Sequence, residues 1–332
     1  MSNNLTKINK NSIGFIAFPQ QQHLLIEELK NRFFLDENLI LKSQILPDLF
    51  LFFFDDFKEN INPFSEKTPY WSRCTLFEPF YLKFSSIGEA ANTLKNIQRN
   101  WASHTTTSFR RSSLIQEKLP YINFKPKAFP VKIPSDTVGV FSLIDNNTLL
   151  ASAKTNSHFP CGKIDFIEDH ENPPSRAYLK FQEAITNAQL YFGKSPTTGN
   201  RCFDAGACPG GWTWVLTQLN CSVFAVDRTE LDSRLMNHPN VTFQKHDAFT
   251  LEPQTLGAFD WVCSDVICYP ERLLTWIHKW LDSGLCKNMI CTIKMQGQID
   301  WNLISQFESI PNSIIRHMNY NKHELTWIHC SD

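Results

Sequence analysis

The chain has 332 residues, 42% hydrophobic and 20% charged, with a formal net charge of −1; this supplies apolar material for two domains of about 100–200 residues and excludes a mainly disordered chain. The longest uninterrupted apolar run, residues 49–54, has six residues, against about 18 for a transmembrane helix, so no membrane partner is expected. Near-neutral total charge also argues against broad polyanion affinity.

In chain order, residues 1–15 lack the apolar stretch and cleavage site of a secretory leader, and a cytoplasmic protein is expected. Residues 13–18 read as a strand, and 23–33 as a helix with Leu24, Leu25, Leu29 and Phe33 on one face. Ser86-x-x-Glu89 has the capping-box form and opens Ile87, Ala90, Ala91, Leu94, Ile97 and Trp101 at helical spacing. Residues 105–132, rich in Ser, Thr, Lys, Arg and Pro, read as a loop or mobile arm, and 138–153 as two strands joined by Asp145-Asn146-Asn147. Residues 86–135 carry eight Lys/Arg (Lys95, Arg99, Arg110, Arg111, Lys118, Lys125, Lys127, Lys132) against Glu89 and Glu117, a local footprint suited to RNA. A domain join is expected in 168–174, dividing a smaller α+β domain (1–168) from a second domain (169–332).

From residue 200 onward β-like and helical stretches alternate. Strands are expected at 202–205, 223–226, 241–245, 259–263 and 289–293, giving a mainly parallel α/β sheet with a ligand beyond the strands' carboxyl ends. The runs 314–318 and 325–330 are too close for a crossover helix and predict an antiparallel hairpin at the sheet edge. Ten dispersed cysteines without a C-x-x-C pair, and histidines without ligand spacing, predict buried reduced thiols and no metal site.

The stretch Asp204-Ala-Gly206-Ala-Cys208-Pro209-Gly210-Gly211-Trp212 ends a strand, turns on three glycines and opens a helix. Such a turn lets the backbone approach a ligand closely. No Gly-Lys-Ser/Thr follows, and Cys-Pro replaces the Gly-x-x of a dinucleotide fingerprint, so no phosphate is required. Asp227 ends the second strand, where a carboxylate meets ribose hydroxyls, and Asp247 ends the third, where it meets adenine's amino group. Together these describe an adenosine site without phosphates, which S-adenosylmethionine fits; either acid alone would read rather as an ordinary helix cap or turn residue.

The form Asp-x-Gly-x-x-Pro-Gly-Gly-Trp resembles motif I of the FtsJ-type RNA ribose 2'-O-methyltransferases. Their Lys-Asp-Lys-Glu tetrad has counterparts in order at Lys180, Asp265, Lys294 and Glu324. The phrases Pro-Ser-Arg-x-x-Leu-Lys-x-x-Glu-Ala (174–184), Gly-Ala-Cys-Pro-Gly-Gly-Trp (206–212) and His-Glu-Leu-Thr (323–326) are most similar to the bacterial 23S rRNA cytidine 2'-O-methyltransferases. The resemblance covers 173–332 and implies a Rossmann-like class I methyltransferase domain behind a THUMP-containing N-terminal region. It further implies cofactor contacts from Ser175, Gly206, Cys208, Pro209, Gly210, Gly211, Trp212, Asp227, Asp247 and Asp265, and Lys294 as proton acceptor. Lys294 is followed by Met-Gln-Gly instead of the family's apolar-proline continuation.

The chemistry stands without the family. A ribose hydroxyl attacks a sulfonium methyl faster if a base removes its proton, and a lysine at its ordinary pKa of about 10.4 needs help to serve. A second ammonium nearby and desolvation both lower it. Lys294 is therefore expected as base, Lys180 as neighbouring cation, Asp265 as the carboxylate holding the lysine, and Glu324 as orienter of Lys180 or the ribose. A base-amino methyltransferase would show Asn/Asp-Pro-Pro-Tyr, where this chain has Ser264-Asp-Val-Ile-Cys-Tyr269. A cytosine C5 enzyme would need a nucleophile among Cys263, Cys268 and Cys291, which read as core thiols. The expected partner is RNA, 23S rRNA first, met by the basic segment and its aromatics (Trp101, Phe109, Tyr121, Phe124, Phe129). Transfer RNA, a messenger cap, or a non-catalytic RNA-binding role remain open at this point, as does oligomeric state.

Overall fold

Ser12–Ala17, a short and almost wholly apolar run, forms β1, a strand buried along its whole length. It can be so only at the centre of a sheet, and β3 (Leu49–Phe53) and β4 (Ser72–Phe77) flank it antiparallel. The computed structural model describes residues 11–57 and 62–331. The expectation of no secretory leader rests on 1–15, of which 1–10 lie outside the described residues. Two units form: the described residues up to Lys127 together with Lys132–Asp165, and Ala128–Val131 together with the chain from Phe166 onward.

In the first unit α1 (Gln22–Asn31) and α2 (Glu37–Ser43) lead into β2 (Gln44–Leu46), and one sheet runs β2-β3-β1-β4-β9, with β9 at Lys154–Thr155. A second sheet runs β5-β8-β7-β6, made of β5 (Phe80–Lys83), β6 (Trp101–Ser103), β7 (Gly139–Leu143) and β8 (Thr148–Ser152). The expected hairpin is there: Leu143 pairs with Leu149, and Asp145 caps the turn by accepting from Asn147 N at 2.7 Å. Helices α3 (Ile87–Ile97) and α4 (Phe109–Lys118) cover this sheet over a core that includes Leu94, Trp101, Ile115 and Phe141.

Two expectations need correction here. Ser86 does cap α3, accepting from Glu89 N at 3.2 Å, but Trp101 lies on β6, because Gln98 is extended and ends the helix. Its helical spacing from Leu94 has another cause: the indole N–H donates to the carbonyls of Leu94 and Gln98, each at 2.9 Å, and so closes the helix end from the following strand. Residues 105–132 are not simply an arm, since they contain α4. Ser112 and Ile115 form its buried stripe, and the Ser/Arg-rich remainder faces outward.

The second unit has α5 (Ala177–Phe192) ahead of a seven-stranded sheet. Its strands are β10 (Arg201–Ala205), β11 (Ser222–Asp227), β12 (Val241–Lys245), β13 (Phe259–Ser264), β14 (Cys286–Lys294), β15 (Ser313–Arg316) and β16 (Glu324–Cys330). Connecting helices are α6 (Gly211–Gln218), α7 (Ser233–Met236), α8 (Pro253–Leu256), α9 (Pro270–Ser283) and α10 (Trp301–Glu308). The order β12-β11-β10-β13-β14-β16-β15 is parallel through β14 and antiparallel beyond, so the α/β fold with its terminal hairpin is as expected. Phe203, Phe259, Trp276 and Trp280 make an aromatic core under α9. Strand order reverses between β10 and β13, and that opens a crevice past their carboxyl ends. Among the described residues no helix is long and apolar enough to cross a membrane.

Candidate active site

Lys180 sits on α5, a helix in which every residue from Tyr178 to Ala188 is buried. Phe181 stacks on Trp212 of α6, with centroids 4.3 Å apart, and Tyr178 meets Trp214 edge-on at 5.4 Å. These contacts fix the helix and aim Lys180 at the strand ends. Asp265 directly follows β13, Lys294 is the last residue of β14, and Glu324 is the first of β16. Because β14 and β16 are antiparallel, with Lys294 opposite Glu324 in the ladder, an outgoing and an incoming strand deliver both side chains to one place.

All four tetrad residues therefore meet. Lys180 Nζ lies 2.6 Å from Glu324 Oε1 and 3.2 Å from both Asp265 oxygens, and Lys294 Nζ lies 2.5 Å from Asp265 Oδ1. Burial works against the Lys180 ammonium, but Asp265 and Glu324 outweigh it and hold its pKa above the usual lysine value. Burial likewise opposes the Asp265 carboxylate, while Lys180 and Lys294 keep its pKa below the carboxylate range. Glu324 is held low by Lys180 against the same penalty. Lys180 is thus a firmly charged cation between two carboxylates, and Asp265 is the hub that both lysines share.

The glycine turn follows β10 at the same end of the sheet, where a Cβ on Gly206 would run into Val266, the neighbour of Asp265. Gly206 and Gly210 have φ of +79° and +112°, the region open to glycine. A Cβ on Gly211 would come within 2.5 Å of Ser175 Oγ and 3.2 Å of Tyr178 N. Ser175 Oγ is itself buried without a hydrogen-bond partner, an orphan that a polar ligand group would satisfy. Asp227 Oδ2 accepts from Cys208 N at 3.0 Å and Oδ1 from Thr229 N at 2.9 Å, which leaves about two of its four acceptor positions for a diol. Pro209 O accepts from Asp232 N, and the Trp212 ring is engaged with Phe181. Asp247 is placed differently: Oδ2 accepts from Arg228 at 2.6 Å and Arg272 at 3.1 Å, and Oδ1 caps Phe249 N, so protein fills most of its capacity. Taken together, the orphan hydroxyl, the Cβ-intolerant turn and the half-used Asp227 suit S-adenosylmethionine. Gly211→Ala is expected to weaken cofactor binding and to cost about 1–3 kcal/mol of stability through overpacking, read by cofactor titration and urea unfolding.

Residues 173–297 match the sequence model of the FtsJ-like methyltransferases. The matched residues all lie in the second unit and include Lys180, Asp265, Lys294 and the glycine turn. The ribosomal RNA large subunit methyltransferase M of Xylella fastidiosa (strain 9a5c) is 31% identical over 170 residues, covering 48% of this chain and 47% of that protein. Its namesake in Halorhodospira halophila (strain DSM 244 / SL1) is 34% identical over 151 residues, covering 46% and 43%. The chain spans about half the length of the curated relatives it matches. Among solved structures, magnesium protoporphyrin IX methyltransferase from Synechocystis PCC 6803 with bound SAM is 15% identical over 46% of this chain and 79% of that one, at a TM-score of 0.34.

Two residues of the second unit, both inside quoted motifs, were given no role from the sequence. Asp204, at the head of the glycine motif, is buried and accepts from Thr213 Oγ1 at 2.6 Å, tying β10 to α6; burial pushes its carboxyl up to about 7. Glu183, one turn after Lys180, takes three donors from the loop ahead of Glu324: Asn319 N at 3.0 Å, Asn319 Nδ2 at 2.7 Å and Tyr320 N at 3.0 Å. The same helix therefore carries Lys180 and anchors the loop that presents Lys180's partner. Its signal was available, since Glu183 stands in the Lys-x-x-Glu phrase of α5. Glu183→Gln would turn an amide NH2 toward converging donors and is expected to destabilise the domain by about 1–3 kcal/mol, measured by urea unfolding, with methyl transfer falling in parallel. Cys263 and Cys291 are wholly buried, and burial drives both thiols far up, which disfavours a cytosine C5 nucleophile.

Proposed function

We propose that this chain is an S-adenosylmethionine-dependent RNA ribose 2'-O-methyltransferase that acts on a cytidine of 23S rRNA. The observation that carries the reading is the joining of Lys180, Asp265, Lys294 and Glu324 at the mouth of a glycine-lined crevice. When bound, S-adenosylmethionine supplies an electrophilic methyl group. Ser175, the 206–211 turn and Asp227 hold it. Lys294, in its neutral amine form, accepts the proton of the 2'-hydroxyl at Nζ, and Asp265 fixes where that amine points. Lys180, charged and pinned by Glu324, offers a donor that orients the hydroxyl and stabilises negative charge developing on its oxygen.

The rRNA target follows the names of the relatives, and the role of the first unit in RNA binding follows its basic 86–135 segment; a THUMP-like architecture there belongs to the same proposal. The test is incubation of the protein with radiolabelled methyl donor and total RNA from cells lacking this gene, followed by fractionation and nucleoside mapping. Label in 2'-O-methylcytidine at one site supports the reading. Label in a base, or in transfer RNA or cap ribose alone, replaces the substrate, and no label under any RNA removes the enzyme reading.

A further inference from the structure

The first unit contains a cavity of about 200 Å³. That is smaller than the roughly 300–1,000 Å³ of sites for drug-sized ligands and amounts to about seven waters, room for one compact polar group. Its wall brings together Arg73 of β4, His104 just past β6, Lys125, Lys127, Lys163 and Asp165. The carboxylate among them, Asp165, is engaged by Lys163 at 2.9 Å. Lys127 Nζ rests on the backbone carbonyls of Asn123 and Lys125, each at 3.1 Å, and so has no counter-charge there.

Arg73 is the informative member. It is 8% exposed, and among the described residues it makes no ion pair with a carboxylate. Its Nη2 approaches His104 Nδ1 at 3.4 Å, and His104 Nε2 approaches Asp48 Oδ1 at 3.1 Å. An arginine nitrogen can only donate, so His104 receives on Nδ1 and donates from Nε2 to Asp48. Asp48 therefore acts on Arg73 only through an imidazole. The guanidinium keeps its remaining donors, and its Nε is buried with no partner at all. A buried, unpaired guanidinium is costly, and the group that relieves it best is a planar or tetrahedral oxyanion taken by two parallel N–H bonds.

We propose that this cavity is a binding site for a phosphate-class oxyanion, held by Arg73 and flanked by Lys125 and Lys127. The same chemistry is presented by an RNA backbone phosphodiester and by free phosphate. The site stands apart from the methyl-transfer reading, and a chain inactive in transfer still reports on it.

The test uses the full chain. Inorganic phosphate is titrated calorimetrically, and an rRNA fragment is titrated across a range of salt, with wild type, Arg73→Gln and Lys125→Gln/Lys127→Gln. The lysine variant alters outward side chains and keeps the test open if Arg73→Gln fails to fold. Saturable phosphate binding by wild type, weakened about tenfold or more by the lysine variant, is expected. If RNA affinity falls alongside, with the salt slope reduced by about one per lysine, the oxyanion is the RNA backbone. If RNA affinity is unchanged while phosphate binding weakens, the site serves free phosphate. Absence of saturable phosphate binding by wild type, or phosphate binding equal in all three proteins, overturns the proposal.

Discussion

Lys294→Ala is expected to slow single-turnover methyl transfer by about 10²–10⁴-fold, the range over which a positioned general base contributes. Lys294→Arg should do no better, because a guanidinium stays protonated at any accessible pH and cannot take the hydroxyl proton. Cofactor binding should survive in both, since the contact of Lys294 in the cluster is with Asp265 and not with the glycine turn. That split matters: loss of transfer with cofactor binding intact separates a missing base from a damaged pocket. Near-wild-type rates in either variant would remove Lys294 from the chemistry.

Asp265→Asn should be the most disruptive change to the cluster as a structure. It removes the charge that both lysines share and leaves Lys180, largely buried, with Glu324 alone. Breaking a buried ion pair costs about 3–5 kcal/mol, and the partial exposure of this one places the expected loss near or below the lower end. The pH dependence follows from the directions of the shifts. Asp265 and Glu324 are lowered, so their contribution is present above the ordinary carboxylate range and is lost as pH falls through their folded values. Lys180 is raised, so its contribution is complete below the ordinary lysine value and is lost only as pH rises through the folded one. The stability gap between wild type and Asp265→Asn should therefore be flat through neutral pH and close in acid. Urea midpoints across pH measure this; a gap that widens on acidification would contradict the assigned charges.

Much of the second unit was readable because local chemistry and global fold agree there. Val223, Val241 and Phe259 lie in short runs rich in β-branched and aromatic residues, too short for helices, and each became a parallel strand. The tetrad was readable because each member stands at an element's end, where side chains converge. What failed shows what a single sequence hides. Trp101 kept helical spacing while leaving the helix, because its indole serves the helix end from a strand. Residues 109–118 looked like loop because only a narrow stripe is buried and the rest is serine and arginine. Asp247 and Asp227 look alike in sequence, yet Arg228 and Arg272, the second 25 residues away, occupy Asp247 and leave Asp227 partly open. The Lys-x-x-Glu phrase marks Glu183, but what it holds, Asn319 and Tyr320, lies more than a hundred positions downstream and shows only in the fold.

The pairing of Lys294 with Glu324 makes the chain between them an excursion that departs from and returns to a single rung of one ladder. The length of its first stretch, 295–300 ahead of α10, is decoupled from the geometry of the cluster, and lengthening a flexible connection twofold costs only about 0.6 kcal/mol in closure entropy. That stretch can be enlarged or replaced, changing the surface beside the cluster, while the four charged groups stay where they are.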